Sequence, residues 1–420
     1  MLKVQIIDIP NAGVNPYCAP AADLVGELAQ QSHRIIEFEA VGLSELTAEA
    51  LVRPANNLRR LRINEHNFEE ILLVFGGLIP RLERLTLSNP SGWNLRLFPE
   101  ITKVTLFFGG NGVSMESLVD FLDGASKLEV LSLSQYHDPS SPDRKRVRKP
   151  IPLPRLRELN LSFCETSEIL GYLVLPSSAH VSILAGPDPE NRDIFSCIPN
   201  VPGFCRFLSN TQSLTVALHP TDNEFYLSMY WRDKPSCFLR VYDDKKRLDG
   251  QWVLRSVNAA PRFKPFLNIE SLTVSVEKYT VPWKSWLSQL DRLERIEVAS
   301  VDLSEFILAL SIGRATRKRP TCPSLRYLSV EFKGPGRSID YSRLRLCLLS
   351  RARAGYPVSR LRIRSEDWVR VIRTDSDWKE LTMSQGNVYV TFGVSRRSSG
   401  ALETAEGLTT LLMKKDPINP

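Results

Sequence analysis

One phrase recurs along this chain: P-x-L-x-x-L-x-L. It is written PRLERLTLSN at Pro80–Asn89, PRLRELNLSF at Pro154–Phe163 and PSLRYLSVEF at Pro323–Phe332. Its last two apolar positions alternate with period two, so both side chains leave the same face of a short strand. The leading leucine, three residues back, turns into the same core. A unit this small cannot bury its apolar side alone. Stacked units share one core and build a continuous parallel sheet.

Aligned on L-x-x-L-x-L, the phrase extends to nine copies. The first five are Leu58-Leu61-Ile63, Leu82-Leu85-Leu87, Ile101-Val104-Leu106, Leu128-Leu131-Leu133 and Leu156-Leu159-Leu161. The last four are Ile269-Leu272-Val274, Leu293-Ile296-Val298, Leu325-Leu328-Val330 and Val358-Leu361-Ile363. Middle residues of successive copies stand 24, 19, 27 and 28 residues apart in the first group and 24, 32 and 33 in the second. These steps scatter around the roughly 20–29 residues of a leucine-rich repeat, with insertions.

Segments between the strands read as helical returns. NFEEILLVFGGLIP sets Phe68, Ile71, Leu72 and Phe75 on one face before Gly76-Gly77. SMESLVDFLDGASK places Leu118, Val119 and Leu122 between Ser114 as N-cap and Gly124 as stop. DLSEFILALSIG repeats the grammar with Phe306, Ile307 and Leu310. The pattern predicts an α/β fold, a leucine-rich-repeat solenoid: an irregular horseshoe with parallel strands on its inner face and helices outside. A doubly wound α/β sheet also alternates strands and helices, but it lacks this regular frame and needs a glycine-rich strand-to-helix turn. FFGGNGVS at Phe107–Ser114 has no lysine to reach a phosphate and reads as an ordinary turn, as does GPGRS at Gly334–Ser338.

One solenoid over residues 1–392 is expected, regular over about 1–185 and 261–392 and irregular over 186–260, with a flexible tail at 393–420. In the middle, AHVSILAG, QSLTVALHP, FYLSMYW and CFLRVYDD keep the character of strands but lose the phrase. An antiparallel hairpin is expected around Phe225–Asp243, with Asp243-Asp244 and the adjoining lysines at a solvated tip rather than in a carboxylate site. Trp283 and Trp286 share one helical face and read as core.

Composition narrows the function. Hydrophobic residues are 43% and charged residues 24% of the 420, which is globular. No run approaches the ~20 apolar residues of a membrane span, and MLKVQIIDIP reads as a strand rather than a signal peptide. The seven cysteines are odd in number and scattered, without a C-x-x-C pair, which argues for buried thiols in a reducing compartment. The expected location is cytoplasmic, nuclear or both. Five histidines form no H-E-x-x-H or mixed Cys/His cluster, and no nucleophile elbow or P-loop is present. No catalytic residue, metal or cofactor is therefore expected, and an enzyme has no constellation behind it.

VFGGLIPRLERLTLS, Val74 to Ser88, is similar to the leucine-rich repeats of F-box proteins from mushroom-forming fungi, and so is LPRLRELNLSF followed by ILGYLVLPSSAHVSI. The resemblance covers residues 1–185 well and the remainder loosely. It implies the substrate-recognition repeats of an SCF-type ubiquitin-ligase receptor, in which an N-terminal F-box docks the adaptor and the repeats hold the target. The F-box itself is not seen, because MLKVQIIDIP already reads as a repeat strand; an SCF adaptor is expected as a partner only if the gene also encodes an F-box ahead of these residues. The alternative is a free-standing leucine-rich-repeat scaffold with no ligase link.

Residues flanking each strand leucine point away from the core, onto the inner face. The candidates for partner contact there are Arg60, Arg62, Arg84, Lys103, Glu158, Asn160, Arg295, Tyr327, Arg360, Arg362 and Arg364. Arginine-rich ends flank a Ser/Thr/Asn middle. Arginine pairs bidentately with carboxylate and phosphate, so the expected partner is a protein offering an acidic or phosphorylated segment. The net charge of +7 permits acidic partners without requiring nucleic acid. A second feature is the loop DRKRVRKP, with Arg144, Lys145, Arg146, Arg148 and Lys149, which reads either as a nuclear-import or acidic-partner loop or as a solvated insertion. GRATRKRP, with Arg314, Arg317, Lys318 and Arg319, carries the same two readings. Neither run is interleaved with aromatic residues, so a stacking platform for single strands is not expected.

Overall fold

Seven of the nine copies of the phrase share one local turn among the described residues. The leading residue donates its N–H to the carbonyl three residues earlier: Leu58 to Ala55, Leu82 to Ile79, Leu128 to Ala125, Leu293 to Leu290, Leu325 to Cys322. That tight turn drives the leading side chain inward, and the strand that follows buries every second residue. All the leucine, isoleucine and valine positions of the nine copies are buried. The computed structural model describes residues 2–7, 26–41, 51, 53–64, 75, 79–88, 95–108, 115–135, 150–164, 166–185, 195, 198, 201–219, 224–231, 234–242, 255–256, 259, 268–275, 281–300, 302–312, 320–332, 338–365, 389–393 and 409–410.

The chain divides into two compact units, Met1–Gly186 with Cys197–Phe207, and Pro187–Ser196 with Leu208–Pro420. In the first unit β1 (Leu2–Ile7), β2 (Ile35–Val41), β3 (Arg60–Asn64), β4 (Arg84–Ser88), β5 (Lys103–Phe107) and β6 (Val130–Ser134) pair in sequence order, all parallel. β8 (Glu158–Ser162) and β10 (His180–Ala185) continue the sheet. A minor pair, β7 (Ile151–Pro152) with β9 (Leu173–Val174), lies apart from it. Between β5 and β6 runs α1 (Met115–Leu122), with Leu118, Val119 and Leu122 buried as expected. Gly124 follows at φ +88, and a Cβ there would meet Cγ of Arg96 at 2.6 Å. Both facts suit glycine as the helix stop. α2 (Thr166–Tyr172) returns the chain from β8.

The second unit opens antiparallel. β11 (Ser213–His219), β12 (Glu224–Trp231) and β13 (Lys234–Tyr242) form a meander, so the expected hairpin is present. Its tip is not where the paired acids suggested. The two strands meet across residues 232–233, while Asp243 and Asp244 come after the second strand and lie outside the described residues. On its other edge β11 runs parallel to β14 (Ser271–Ser275), and β15 (Arg295–Ser300), β16 (Tyr327–Phe332), β17 (Arg360–Ser365) and β18 (Tyr389–Gly393) follow in order. A two-residue strand, β19 (Thr409–Thr410), pairs antiparallel with β18 inside the segment expected to be a tail. Each unit is a mixed α/β fold built on a mostly parallel sheet.

Helices cover the buried face of the sheet strands in the second unit. α4 (Trp283–Leu287) carries Trp283 and Trp286 into the core, 6.2 Å apart, and Trp283 meets Phe306 of α5 (Ser304–Leu310) edge to face at 4.8 Å. α6 (Ser338–Arg353) packs Tyr341 on Phe332 of β16 at 4.4 Å. A further helix, α3 (Pro202–Leu208), precedes β11. The helix expected over residues 68–75 lies outside the described residues, apart from Phe75, which is buried against Phe38 at 5.3 Å.

Candidate partner-binding faces

Parallel register turns alternate strand positions into straight rows across the uncovered face. In the first unit one row runs Lys3, Glu37, Arg60, Arg84, Lys103, Val130, Glu158, His180. The next runs Gln5, Glu39, Arg62, Thr86, Thr105, Ser132, Asn160, Ser182. Neighbours in a row stand roughly 4.8 Å apart, the spacing of hydrogen-bonded strands. All six first-unit candidates therefore share one face, as their spacing implied.

Their charges are not equally available. Arg60 pairs with Glu37 at 3.1 Å and Arg62 with Glu39 at 3.1 Å; Lys3 reaches Glu37 from the other side at 3.0 Å. Glu37 is held below the usual carboxylate range, first by the Lys3 hydrogen bond, against some desolvation, and further by the charges of Arg60, Lys3 and Arg84. Arg84 and Lys103 sit side by side in register, both exposed, with no ion pair among the described residues. Around them lies a shallow groove of 570 Å³ lined by five cations (Lys3, Arg60, Arg62, Arg84, Lys103) and two carboxylates, a surplus of three positive charges. Further along, Asn160 is occupied: its amide donates to Glu158 at 2.9 Å and to Ser132 at 3.2 Å.

The second unit repeats the arrangement. Its first row runs Ser271, Arg295, Tyr327, Arg360. Arg295 donates to Glu297 (Nε to Oε1, 2.9 Å) and lies over the Tyr327 ring at 4.4 Å, a cation–π contact. Arg364 pairs with Glu331 at 3.7 Å. Arg360 and Arg362, two residues apart on β17, have no ion pair among the described residues. The basic runs Arg144–Lys149 and Arg314–Arg319 lie outside the described residues.

Sequence reasoning missed Lys3, Glu37 and Glu39. The signal was there: β2 carries Ile35, Phe38 and Ala40 at the spacing of the phrase, all buried, but with an aromatic and an alanine in place of leucines. Among the described residues no group of three His, Cys, Asp or Glu is placed to hold a metal ion. Thiols of Cys237 and Cys322 are pushed up to about 12 by burial, which keeps them protonated and poor nucleophiles. No described helix is long and apolar enough to cross a membrane. No protein-family model matches the chain, and no curated protein matches it.

Proposed function

We propose that this chain is a non-catalytic protein-interaction module, a leucine-rich-repeat solenoid whose uncovered sheet face captures an acidic or phosphorylated segment of a partner protein. One observation carries the reading: Arg84 and Lys103 stand adjacent, with no ion pair among the described residues, on a face with three surplus positive charges. A guanidinium fork beside an ammonium, with the Thr86 and Thr105 positions next to them in register, suits a carboxylate or phosphate better than any apolar ligand. Ninefold recurrence of one strand phrase supports the repeat assignment. The role in view resembles that of the substrate-recognition repeats of an SCF-type receptor, in the cytoplasm or nucleus, with no cofactor.

The test is direct binding of acidic peptides, with and without phosphoserine, to the full chain. Arg84→Glu with Lys103→Glu should weaken capture by about 100-fold, because each charge-assisted hydrogen bond contributes roughly 1.5–3 kcal/mol. Arg62→Glu alone should do less, since Glu39 already holds that arginine. Undiminished binding by the double variant would overturn the reading.

Capture of a purified SCF adaptor by the full chain would support the receptor reading.

A further inference from the structure

Leu97, Phe107, Phe163, Val174, Leu308 and Leu346 are the exposed large apolar residues among those described. The two most exposed, Leu308 at 67% and Leu346 at 59%, belong to different helices, α5 and α6, and line the same groove. It holds 1020 Å³, with Ile312 among its apolar walls and Arg343, Arg353 and Glu305 as its charged members.

α6 is inverted by ordinary standards: it exposes Leu346 and buries Arg351 completely. The buried guanidinium donates to the carbonyls of Thr321 at 2.8 Å, Cys322 at 2.8 Å and Leu310 at 3.4 Å. Leu310 is the last residue of α5, so the 3.4 Å bond ties one wall of the groove to the other. The groove is preformed, and a ligand need not open it.

We propose that this groove receives an amphipathic helix from a partner protein, with an apolar stripe flanked by acidic residues. A cleft between two helices with an apolar floor accepts anchors spaced i, i+3, i+4, i+7. Its volume matches the upper end of the roughly 300–1,000 Å³ usual for binding pockets, enough for several large side chains. The rim selects the flanks. Arg343 and Arg353 are exposed and make no ion pair among the described residues, against the single carboxylate of Glu305. Complementary potential therefore calls for acidic flanks. A second copy of this chain fits poorly, because a two-fold contact would gather the arginines of both grooves, four of them against two copies of Glu305.

The experiment screens the full chain against helical peptides of about 16 residues with randomised apolar faces, one library flanked by glutamate and one by lysine. Binders are expected from the glutamate library, weakened about tenfold or more by Leu308→Glu or Leu346→Glu and by a smaller factor by Arg343→Glu. Both leucines are exposed, so circular dichroism of these variants should match the parent. The Arg84→Glu, Lys103→Glu pair should leave this binding unchanged, which separates it from the sheet-face reading. Several outcomes would overturn the proposal: no binder from either library, equal yield from the lysine library, or affinity indifferent to Leu308 and Leu346. So would a dimer in sedimentation, or binding to phosphatidylserine vesicles, that Leu346→Glu abolishes, since either assigns the groove a different occupant.

Discussion

Thr211 occupies a position where the nine regular copies carry leucine, isoleucine or valine, three residues before Leu214 and five before Val216. It is 2% exposed, and its Oγ1 has no hydrogen-bond partner among the described residues. An unsatisfied buried hydroxyl costs about 1–3 kcal/mol, and valine keeps the outline while removing the polar atom. Thr211→Val should raise the unfolding free energy by about 1 kcal/mol in urea melts; an unchanged or lowered value would show that the hydroxyl is satisfied. Cys237 allows a second check, in pH. Its thiol stands at about 12 in the folded chain against 9.0 ordinarily. The native state therefore keeps a proton that the unfolded thiol has lost, and this contribution is complete below pH 9 and disappears as pH rises toward 12. The stability gap between the parent and Cys237→Ala should be flat around neutrality and narrow by about 1.4 kcal/mol per pH unit above 9. A gap constant to about pH 11 would mean that the thiol titrates normally.

At the scale of elements, the phrase predicted strands well wherever leucine, isoleucine or valine filled all three places. β3, β4, β5, β6, β8 and β14 through β17 all sit where it placed them. It failed where packing tolerated other shapes: Phe38 and Ala40 in β2, Thr211 before β11. The buried residue three places before the leading position was legible but unread. Ala55, Ile79, Phe98, Ala125, Leu153, Leu208, Leu290 and Cys322 all fill it, each accepting the N–H of the leading residue. Missing β2 had a consequence for the site. Facing residues could be assigned to a face from period two alone, but ion pairing depends on which strand lies next door. Arg60 and Arg62 looked as available as Arg84 until Glu37 and Glu39 came alongside. The α5–α6 groove was not legible at all, because nothing local in the sequence of α6 marks Arg351 as the buried member and Leu346 as the exposed one.

Taken as a whole, the molecule carries a surplus of +7, and its two candidate surfaces should answer to salt differently. On the sheet face the attraction is between exposed charges. Its range shrinks from about 10 Å at 0.1 M ionic strength to about 3 Å at 1 M. In the groove the anchors are Leu308, Ile312 and Leu346, and burying apolar surface does not weaken as salt screens charge. Raising the salt between those two limits should therefore weaken acidic-peptide capture on the sheet face by about tenfold or more. Arg84→Gln with Lys103→Gln should flatten that dependence, because the remaining cations of the face are largely held by Glu37 and Glu39. Helical-peptide binding in the groove should fall only by the share that Arg343 and Arg353 supply. Titrations of both peptides on one preparation of the full chain, at matched salt concentrations, measure the two slopes together. Equal slopes would mean that one surface, not two, accounts for all the binding.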